Sequence, residues 1–429
     1  MAWTKTKVDL VLATAAEVLQ KLSGYAVLAI LARRFDKTSM GQLFFVLALA
    51  SMLGAGTELG TTRYLVREVA TTPFLALRRL GEVLSLRVPL ALAALAVVGT
   101  VVSLTRPDLA PLALPAVIAG LLTDLSYTFG GFLVGRREVG LRLVTGLSGP
   151  AVLLSLVAIA AARGATPGQV MLCYAAASVV PLAAGAFAVR RRFGPIPLRG
   201  TRAGAMTAAR ASLPFFLLTT LGVVHFKVDT LLLFALATPA AVATYEAAYK
   251  LFEVSRFVIR PTATVFFPVS AALAGERKWI GFGHTLRRLL ALSGGAGLAV
   301  SIVILASAGL VISLAWGHQY DDAVPVLRVL YLAVPTIYLG FVATFLAGAL
   351  HLEAAAARVL GLCLVANVGL NLLAIPRWGP LGAAWTTVIT ETFATLWLLR
   401  LIRRAVRGKV AAAGEDPVTA SATELFADG

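Results

Sequence analysis

The sequence has few of the residues from which metal-binding or disulfide-rich proteins are built. Of its 429 residues, two are cysteines, four are histidines and 14% are charged. Cys173 and Cys363 lie in apolar runs, far from a second cysteine or a histidine at metal-ligand spacing, which excludes a disulfide framework and a zinc site. The motifs GxxxxGK, HExxH and GxSxG are also absent. The sequence therefore predicts neither an enzyme nor a bound cofactor.

Apolar residues are abundant instead. They make up 59% of the chain, which leaves too little polar surface to cover a water-soluble protein of this size. They are grouped in long runs, and a run of roughly 20 apolar residues is enough to cross a bilayer as a helix. The runs predict an all-α polytopic membrane protein with about twelve transmembrane helices. The predicted spans are 9–31, 41–60, 88–105, 109–135, 143–162, 167–189, 211–237, 243–273, 289–316, 323–350, 356–376 and 381–402.

The net charge of +17 comes from short basic clusters between the apolar runs. A nucleic-acid-binding protein would gather such charge on one soluble face, so we expect no nucleic-acid partner. If the first helix starts in the cytoplasm, the inside segments hold most of the cations. The outside segments then hold only Arg33, Arg34, Lys37, Arg106, Arg163, Arg328 and Arg377. The positive-inside rule therefore predicts a multi-pass protein of a bacterial inner membrane with both termini in the cytoplasm.

The longest inside segment, around residues 190–210, divides the predicted helices six and six. This division is typical of transporters built from two repeated halves. We therefore predict one six-helix lobe at residues 1–195 and a second at 196–409. Residues 410–429 are rich in small and acidic side chains, which predicts a disordered cytoplasmic tail.

Charged residues inside the predicted eighth helix form the densest candidate site. They are spaced three or four residues apart, which places them on one helical face: Glu246, Lys250, Glu253, Arg256 and Arg260. Such a face cannot contact lipid, so it lines water, a ligand or other helices. Ion pairs of Glu246 with Lys250 and of Glu253 with Arg256 would explain it structurally. The excess of cations within the stripe favours an anionic ligand instead.

Other ionisable or polar residues also fall inside predicted spans. Glu17 and Lys21 lie one turn apart on the first helix. Asp229 on the seventh helix must pair, take a proton or hold a cation if it is buried. On the eleventh and twelfth helices the oxygen-bearing pairs Asn367 with Asn371 and Thr387 with Glu391 would suit a sodium ion, although hydrogen bonds between helices would explain them equally well.

Two further ionisable residues gave no site. We expect Arg87 to extend its side chain from a helix start to the membrane surface. Asp124 is a lone acid in the fourth predicted helix, and its role stays open.

Four stretches of the chain resemble the polysaccharide flippases of the multidrug/oligosaccharidyl-lipid/polysaccharide exporter superfamily. They begin at Leu59 (LGTTRYLVREVA), Lys227 (KVDTLLLFALATPAAVATYEAAYKLFEVSRFVIRPTATVFFPVSAAL), Tyr320 (YDDAVPVLRVLYLAVPTIYL) and Asn371 (NLLAIPRWGPLGAAWTTVITE). The resemblance implies two six-helix lobes around a central cavity. It also implies transport of an undecaprenyl-pyrophosphate-linked oligosaccharide to the outer leaflet for cell-surface polysaccharide synthesis, together with polymerase and export proteins.

The resemblance also implies roles for individual residues. In the related lipid II flippases, cations of the first and eighth helices face the cavity, and Lys21, Arg256 and Arg260 match them, with Lys250 as an addition. Coupling to Na⁺ or H⁺ is implied too, and would use Asp229, Asn367, Thr387 and Glu391. The chain lacks the two extra helices of the lipid II type, so this second assignment is the weaker one.

Two other functions stay open at this point. A multidrug antiporter of the same superfamily would transport cationic drugs and prefer an acidic cavity. A membrane-bound polymerase would need acidic catalytic residues in an outside loop, where the sequence offers only Asp321 and Asp322.

Overall fold

The computed structural model describes residues 2–197 and 200–413. Side chains are described throughout these ranges except at 2–14, 217–219, 221, 257, 260, 261, 263–265, 268, 412 and 413. Thirteen α-helices occupy nearly all of the described chain, and no strand occurs in it. The first seven are α1 (Ala2–Arg34), α2 (Lys37–Glu58), α3 (Thr61–Thr71), α4 (Ala76–Thr105), α5 (Ala110–Gly135), α6 (Val139–Ala162) and α7 (Pro167–Phe193). The others are α8 (Arg202–Leu236), α9 (Pro239–Gly275), α10 (Trp279–Trp316), α11 (Ala323–Leu332), α12 (Val334–Ala349) and α13 (Glu353–Ala413).

Within the described residues, eight helices are long and apolar enough to cross a membrane, or nine if α11 and α12 form one span bent by 43°. The helices α8 and α9, which carry several ionisable residues, are not among them. If α11 with α12 counts as one span, α13 as two and the short α3 as none, a helix covers every predicted segment. The predicted all-α membrane architecture with about twelve spans is confirmed.

The long helix α13 is two helices joined at a sharp break. Gly379 adopts φ 53° and ψ −131°, a conformation that a side chain would strain, and Pro376 and Pro380 flank it. Each proline lacks the N–H that a continuous helix would need. The two halves correspond to the separate spans that the sequence predicts at 356–376 and 381–402.

The described chain forms two compact units. Among the described residues, the first contains those up to 234 together with 238–243, and the second contains 235–237 and those from 244 onwards. Helix α8 begins beyond the predicted lobe boundary at residue 195, yet all of it up to Phe234 belongs to the first unit. There Ala208 is buried in one cluster with Leu80, Phe132 and Val189. The division into repeated halves at 195 thus stays a prediction, and the compact units divide further along the chain.

Each unit has its own apolar core. In the second unit, Phe282 of α10 packs in one cluster with Leu346 of α12 and Ile402 of α13. Outward positions are apolar as well, since Leu314 exposes 65% and Val365 71% of its surface. Exposed apolar side chains at this density require lipid as the solvent, so the protein is a multi-pass membrane protein.

The end of the chain lies partly outside the described residues. Helix α13 continues through Ala413, so residues 410–413 are helical where the sequence predicts disorder. Residues 411–413 are alanines, the strongest helix formers, so the helix continues past the predicted last span. The remainder of the predicted tail, residues 414–429, lies outside the described range.

Candidate substrate-binding sites

The charged stripe of α9 lies within the second unit, and its side chains are mostly shielded. Lys250 Nζ lies 3.1 Å from Glu253 Oε2 and 3.9 Å from Glu246 Oε2. The Glu246 side chain is only 1% exposed, whereas Glu253 keeps 28% of its surface. Lys250 therefore bridges two carboxylates, one helical turn to either side of it. The spacing predicts its pair with Glu246.

Arg256 makes a different contact from the one that the spacing suggests. Its Nη2 donates to Glu391 Oε1 of α13 at 2.9 Å, and the two side chains are 20% and 16% exposed. The described contacts place Lys250, and not Arg256, beside Glu253. The predicted intrahelical pair of Glu253 with Arg256 is therefore wrong. A long arginine side chain can reach the facing helix, which local spacing cannot show.

This contact changes the charge balance of the stripe. The sequence argument counted Glu246 and Glu253 against three cations and found an excess of positive charge. Glu391 adds a third carboxylate from another helix, so the cluster of α9 and α13 is formally balanced. The side chain of Arg260, the last member of the stripe, lies outside the described residues. Because Arg256 is paired with Glu391, an anionic ligand would have to compete with Glu391 for Arg256.

Polar residues on α13 form a hydrogen-bonded cluster. Asn371 Nδ2 donates to Asn367 Oδ1 at 3.0 Å, and Asn367 Nδ2 donates to Thr390 Oγ1 at 3.3 Å across the break at Gly379. Thr387 Oγ1 lies 3.5 Å from the Tyr245 hydroxyl. These contacts fit the interpretation as hydrogen bonds between helices. The use of Asn367, Thr387 and Glu391 by a coupling ion stays a prediction.

Asp229, the other residue assigned to ion coupling, belongs to the first unit and is 6% exposed. Across the described residues, no group of three or more His, Cys, Asp and Glu side chains is arranged to hold a metal ion. The role of Asp229 in ion coupling likewise stays a prediction.

The first unit contains a buried ion pair that the sequence argument missed. The Arg87 side chain is 1% exposed and pairs with the Asp124 carboxylate, which is 13% exposed. Arg87 also donates to the hydroxyls of Thr62 and Thr128 and to the backbone carbonyl of Asp124. The expectation that Arg87 reaches the membrane surface is therefore wrong, and the open role of Asp124 includes neutralising it. A partner 37 residues away is visible only in the fold.

A cavity of about 360 Å³ lies between α1, α5, α6 and α7 of the first unit. Lys21, predicted to contact substrate, lines it together with Arg142. Gln20 Nε2 donates to the Gly146 carbonyl at 2.8 Å and so ties α1 to α6 beside the cavity. The sequence argument assigned Arg142 to a cytoplasmic loop. Arg142 lies one turn inside α6, which begins at Val139. The only signal in the sequence was that Arg142 directly precedes the span predicted to start at residue 143.

A second cavity of about 610 Å³ adjoins the first and also has Arg142 and Tyr127 in its lining. It adds Glu58, Arg63 and Asp124. Glu58 is 7% exposed and accepts hydrogen bonds from the backbone N–H groups of Gly60 at 2.8 Å and Thr62 at 2.6 Å, where α2 turns into α3. Buried ionisable groups therefore occur in the first unit too, and not only on α9 of the second unit.

Comparison with known proteins adds a family to this geometry. The family model described as "Polysaccharide biosynthesis protein" matches residues 9–274. The chain belongs to this family. No curated protein matches the sequence.

Solved structures of low sequence identity share the fold. An inward-closed structure of the lipid II flippase MurJ superposes with a TM-score of 0.76 at 13% identity, covering 98% of this chain and 94% of that one. An inward-facing multidrug resistance MATE family transporter of the MOP superfamily gives a TM-score of 0.72 at 16% identity, covering 91% and 95%. A MOP superfamily transporter from Pyrococcus furiosus gives 0.60 at 16% identity, covering 94% of each chain. The chain therefore shares the fold of these transporters, as the resemblance to their superfamily predicts.

Proposed function

We propose that this protein is a flippase that moves an undecaprenyl-pyrophosphate-linked oligosaccharide from the cytoplasmic to the outer leaflet of a bacterial inner membrane. The observation that carries the proposal is the match to the polysaccharide biosynthesis family over residues 9–274, on a chain whose fold is shared with a lipid II flippase. Both termini lie in the cytoplasm in this proposal, in keeping with the distribution of basic residues.

The chemistry of the substrate matches the ionisable residues inside the helices. A pyrophosphate-linked sugar cannot cross hydrocarbon, because its charge and its hydroxyl groups would lose their hydration. Fixed cations in polar surroundings replace that hydration, while the lipid tail stays in the bilayer. Lys21 in the first unit and Lys250, Arg256 and Arg260 in the second supply such cations, and Glu246 and Glu253 hold Lys250 in place.

The pair of Arg256 with Glu391 suggests how binding and transport are linked. The substrate anion takes over the contact that Arg256 makes with Glu391 in the unloaded protein. Glu391 is then released to take a proton or, with Asn367 and Thr387, a sodium ion, and Asp229 serves the same coupling in the first unit. No cofactor is needed. The partners in this proposal are the lipid-linked substrate, membrane lipids, and the polymerase and export proteins of the same pathway.

Deletion of the gene in its own host tests the proposal. We expect the lipid-linked precursor to accumulate on the inner leaflet and surface polysaccharide to disappear, with both defects corrected by the wild-type chain. Arg256→Gln should fail to correct them. Arg358→Gln, which removes an exposed arginine from the same unit, should succeed as the matched control.

Two results would contradict the proposal. Normal export of surface polysaccharide in the deletion strain would exclude the flippase. Loss of resistance to cationic drugs with intact polysaccharide would identify the protein as a multidrug antiporter of the same superfamily.

A further inference from the structure

The smaller cavity of the first unit, between α1, α5, α6 and α7, has cationic side chains and many hydroxyls in its lining. Its cations are Lys21 of α1 and Arg142 of α6, and none of the described residues that line it is acidic. Its other polar side chains are an amide, five hydroxyls on serine and threonine, and two tyrosines. A cavity of about 360 Å³ lies within the range of roughly 300–1,000 Å³ that small-molecule sites occupy. The composition indicates an anionic ligand, but one that also needs many neutral hydrogen bonds.

Arg142 is held beside this cavity by two close approaches to glycine. A Cβ atom on Gly130 of α5 would lie 2.7 Å from Arg142 Nε, and one on Gly146 would overlap its guanidinium group. Alanine at either position would therefore displace the arginine head. The two glycines therefore leave room for the guanidinium between α5 and α6, and its planar fork can make bidentate contact with a carboxylate or phosphate.

Three hydroxyls of the lining already donate their protons to their own helices. Ser126 Oγ donates to the Thr123 carbonyl at 2.6 Å, Thr145 Oγ1 to the Leu141 carbonyl at 2.9 Å and Ser178 Oγ to the Ala175 carbonyl at 2.7 Å. Each oxygen then has only acceptor lone pairs left for a ligand. Such groups repel a bare phosphate, whose oxygens also accept, and they match the O–H donors of a sugar.

Two tyrosines complete the resemblance to a sugar site. Tyr127 of α5 exposes 48% of its surface although it lies well inside a helix, and it lines both cavities of the first unit. Tyr174 of α7 lines both as well. An aromatic ring with a hydroxyl at its edge offers an apolar face to the C–H side of a sugar ring and a polar group to its hydroxyls.

We infer that the cavity between α1, α5, α6 and α7 binds an acidic sugar, with Arg142 and Lys21 holding its carboxylate and the hydroxyls and tyrosines holding its ring. This inference rests on the proposed function and names the substrate class more closely, as a lipid-linked glycan that contains a uronic acid or a similar acidic residue. The pyrophosphate of the lipid carrier is the other anion that could reach these cations, and the experiment distinguishes the two.

The test is binding to the purified full-length chain in detergent, followed by saturation-transfer NMR. The probes are D-glucuronate and D-glucose, and inorganic pyrophosphate is the competitor. We expect glucuronate to bind wild type, and Arg142→Gln to weaken it by about tenfold, the usual effect of losing one charge-assisted hydrogen bond. Glucose should bind weakly and equally to both proteins. Excess pyrophosphate should leave the glucuronate signal unchanged.

Two further variants control for folding and for charge. Arg142→Lys keeps the positive charge and loses the planar fork, so it should retain part of the affinity for glucuronate. Arg163→Gln removes an exposed arginine from the opposite end of α6 and should bind glucuronate as wild type does.

Displacement of glucuronate by pyrophosphate, or binding that Arg142→Gln does not weaken, would overturn the inference. So would failure of glucuronate to bind wild type. These outcomes are separate from the proposed function, which is decided by export in the deletion strain. A strain corrected by the wild-type chain, with no glucuronate binding, would refute the acidic sugar alone.

Discussion

Each unit of the protein contains an arginine that pairs with a carboxylate on another helix, but the two pairs differ in how they are surrounded. In the first unit, Arg87 is 1% exposed, and besides Asp124 it has hydroxyl and carbonyl acceptors. In the second unit, Arg256 and Glu391 keep 20% and 16% of their side-chain surface. A pair that is enclosed and hydrogen-bonded holds helices together, whereas a pair that solvent reaches can exchange one partner for a ligand.

The largest effect should come from breaking the enclosed pair. Asp124→Leu leaves the Arg87 guanidinium buried without its carboxylate, and we expect a loss of about 3–5 kcal/mol in stability. Thermal unfolding of the purified protein in detergent measures it. The double variant Arg87→Met with Asp124→Leu removes both charges and should recover most of the loss. Equal melting temperatures for wild type and Asp124→Leu would show that the pair does not hold α4 to α5.

Breaking the partly exposed pair of Arg256 with Glu391 should affect transport more than stability. Arg256→Gln should lower glycan export about tenfold or more, because it removes a charge-assisted contact worth about 1.5–3 kcal/mol. Its melting temperature should fall less than that of Asp124→Leu, since both members of the pair are partly exposed. Surface polysaccharide and thermal unfolding are measured on the same variants. A drop in stability as large as that of Asp124→Leu, with unchanged export, would make both pairs structural.

A neutral cluster in the second unit provides an intermediate case. Asn367→Leu removes the amide that bonds Thr390 and Asn371, and we expect it to cost about 1–3 kcal/mol of stability. If Asn367 also serves a coupling ion, export by this variant should lose its dependence on the sodium gradient. Export that responds to sodium as wild type does would restrict Asn367 to hydrogen bonding between helices.

The smallest effect should come from a charge at the membrane surface. Asp36 caps α2 by accepting from the backbone N–H groups of Thr38 and Ser39, and Asp36→Ala should cost about 1 kcal/mol. A hydrogen bond from the Ser39 side chain lowers the pKa of Asp36 below its ordinary value of 3.8. The carboxylate therefore stabilises the protein above that value and loses its effect as the pH falls through the lowered pKa. Wild type and Asp36→Ala should thus melt alike only in strong acid, and a difference that persists there would contradict the cap.

Several features that follow from local spacing were predicted correctly. The apolar runs located the spans, and the step of three or four residues placed the charges of α9 on one face, with Lys250 next to Glu246. The predicted separation of the last two spans, at 356–376 and 381–402, matches the break at Gly379. All of these depend on residues within a few turns of one another.

The errors concerned partners from distant parts of the chain. Arg87 was expected at the membrane surface because nothing nearby in the sequence could neutralise it, and Asp124 had no visible partner. Arg256 was paired with its nearest acid, although Glu391 lies 135 residues further on. Arg142 was assigned to a loop because the start of α6 was predicted at residue 143, whereas the helix begins at Val139.

By itself the sequence determined that this chain must live in lipid, where its long helices lie, and which of them carry charge, because hydropathy and helical periodicity are local properties. Only the tertiary structure decided which charges neutralise one another and which line a cavity. The energy of a buried charge depends on the atoms around it, and those atoms come from helices that are adjacent in space and remote along the chain.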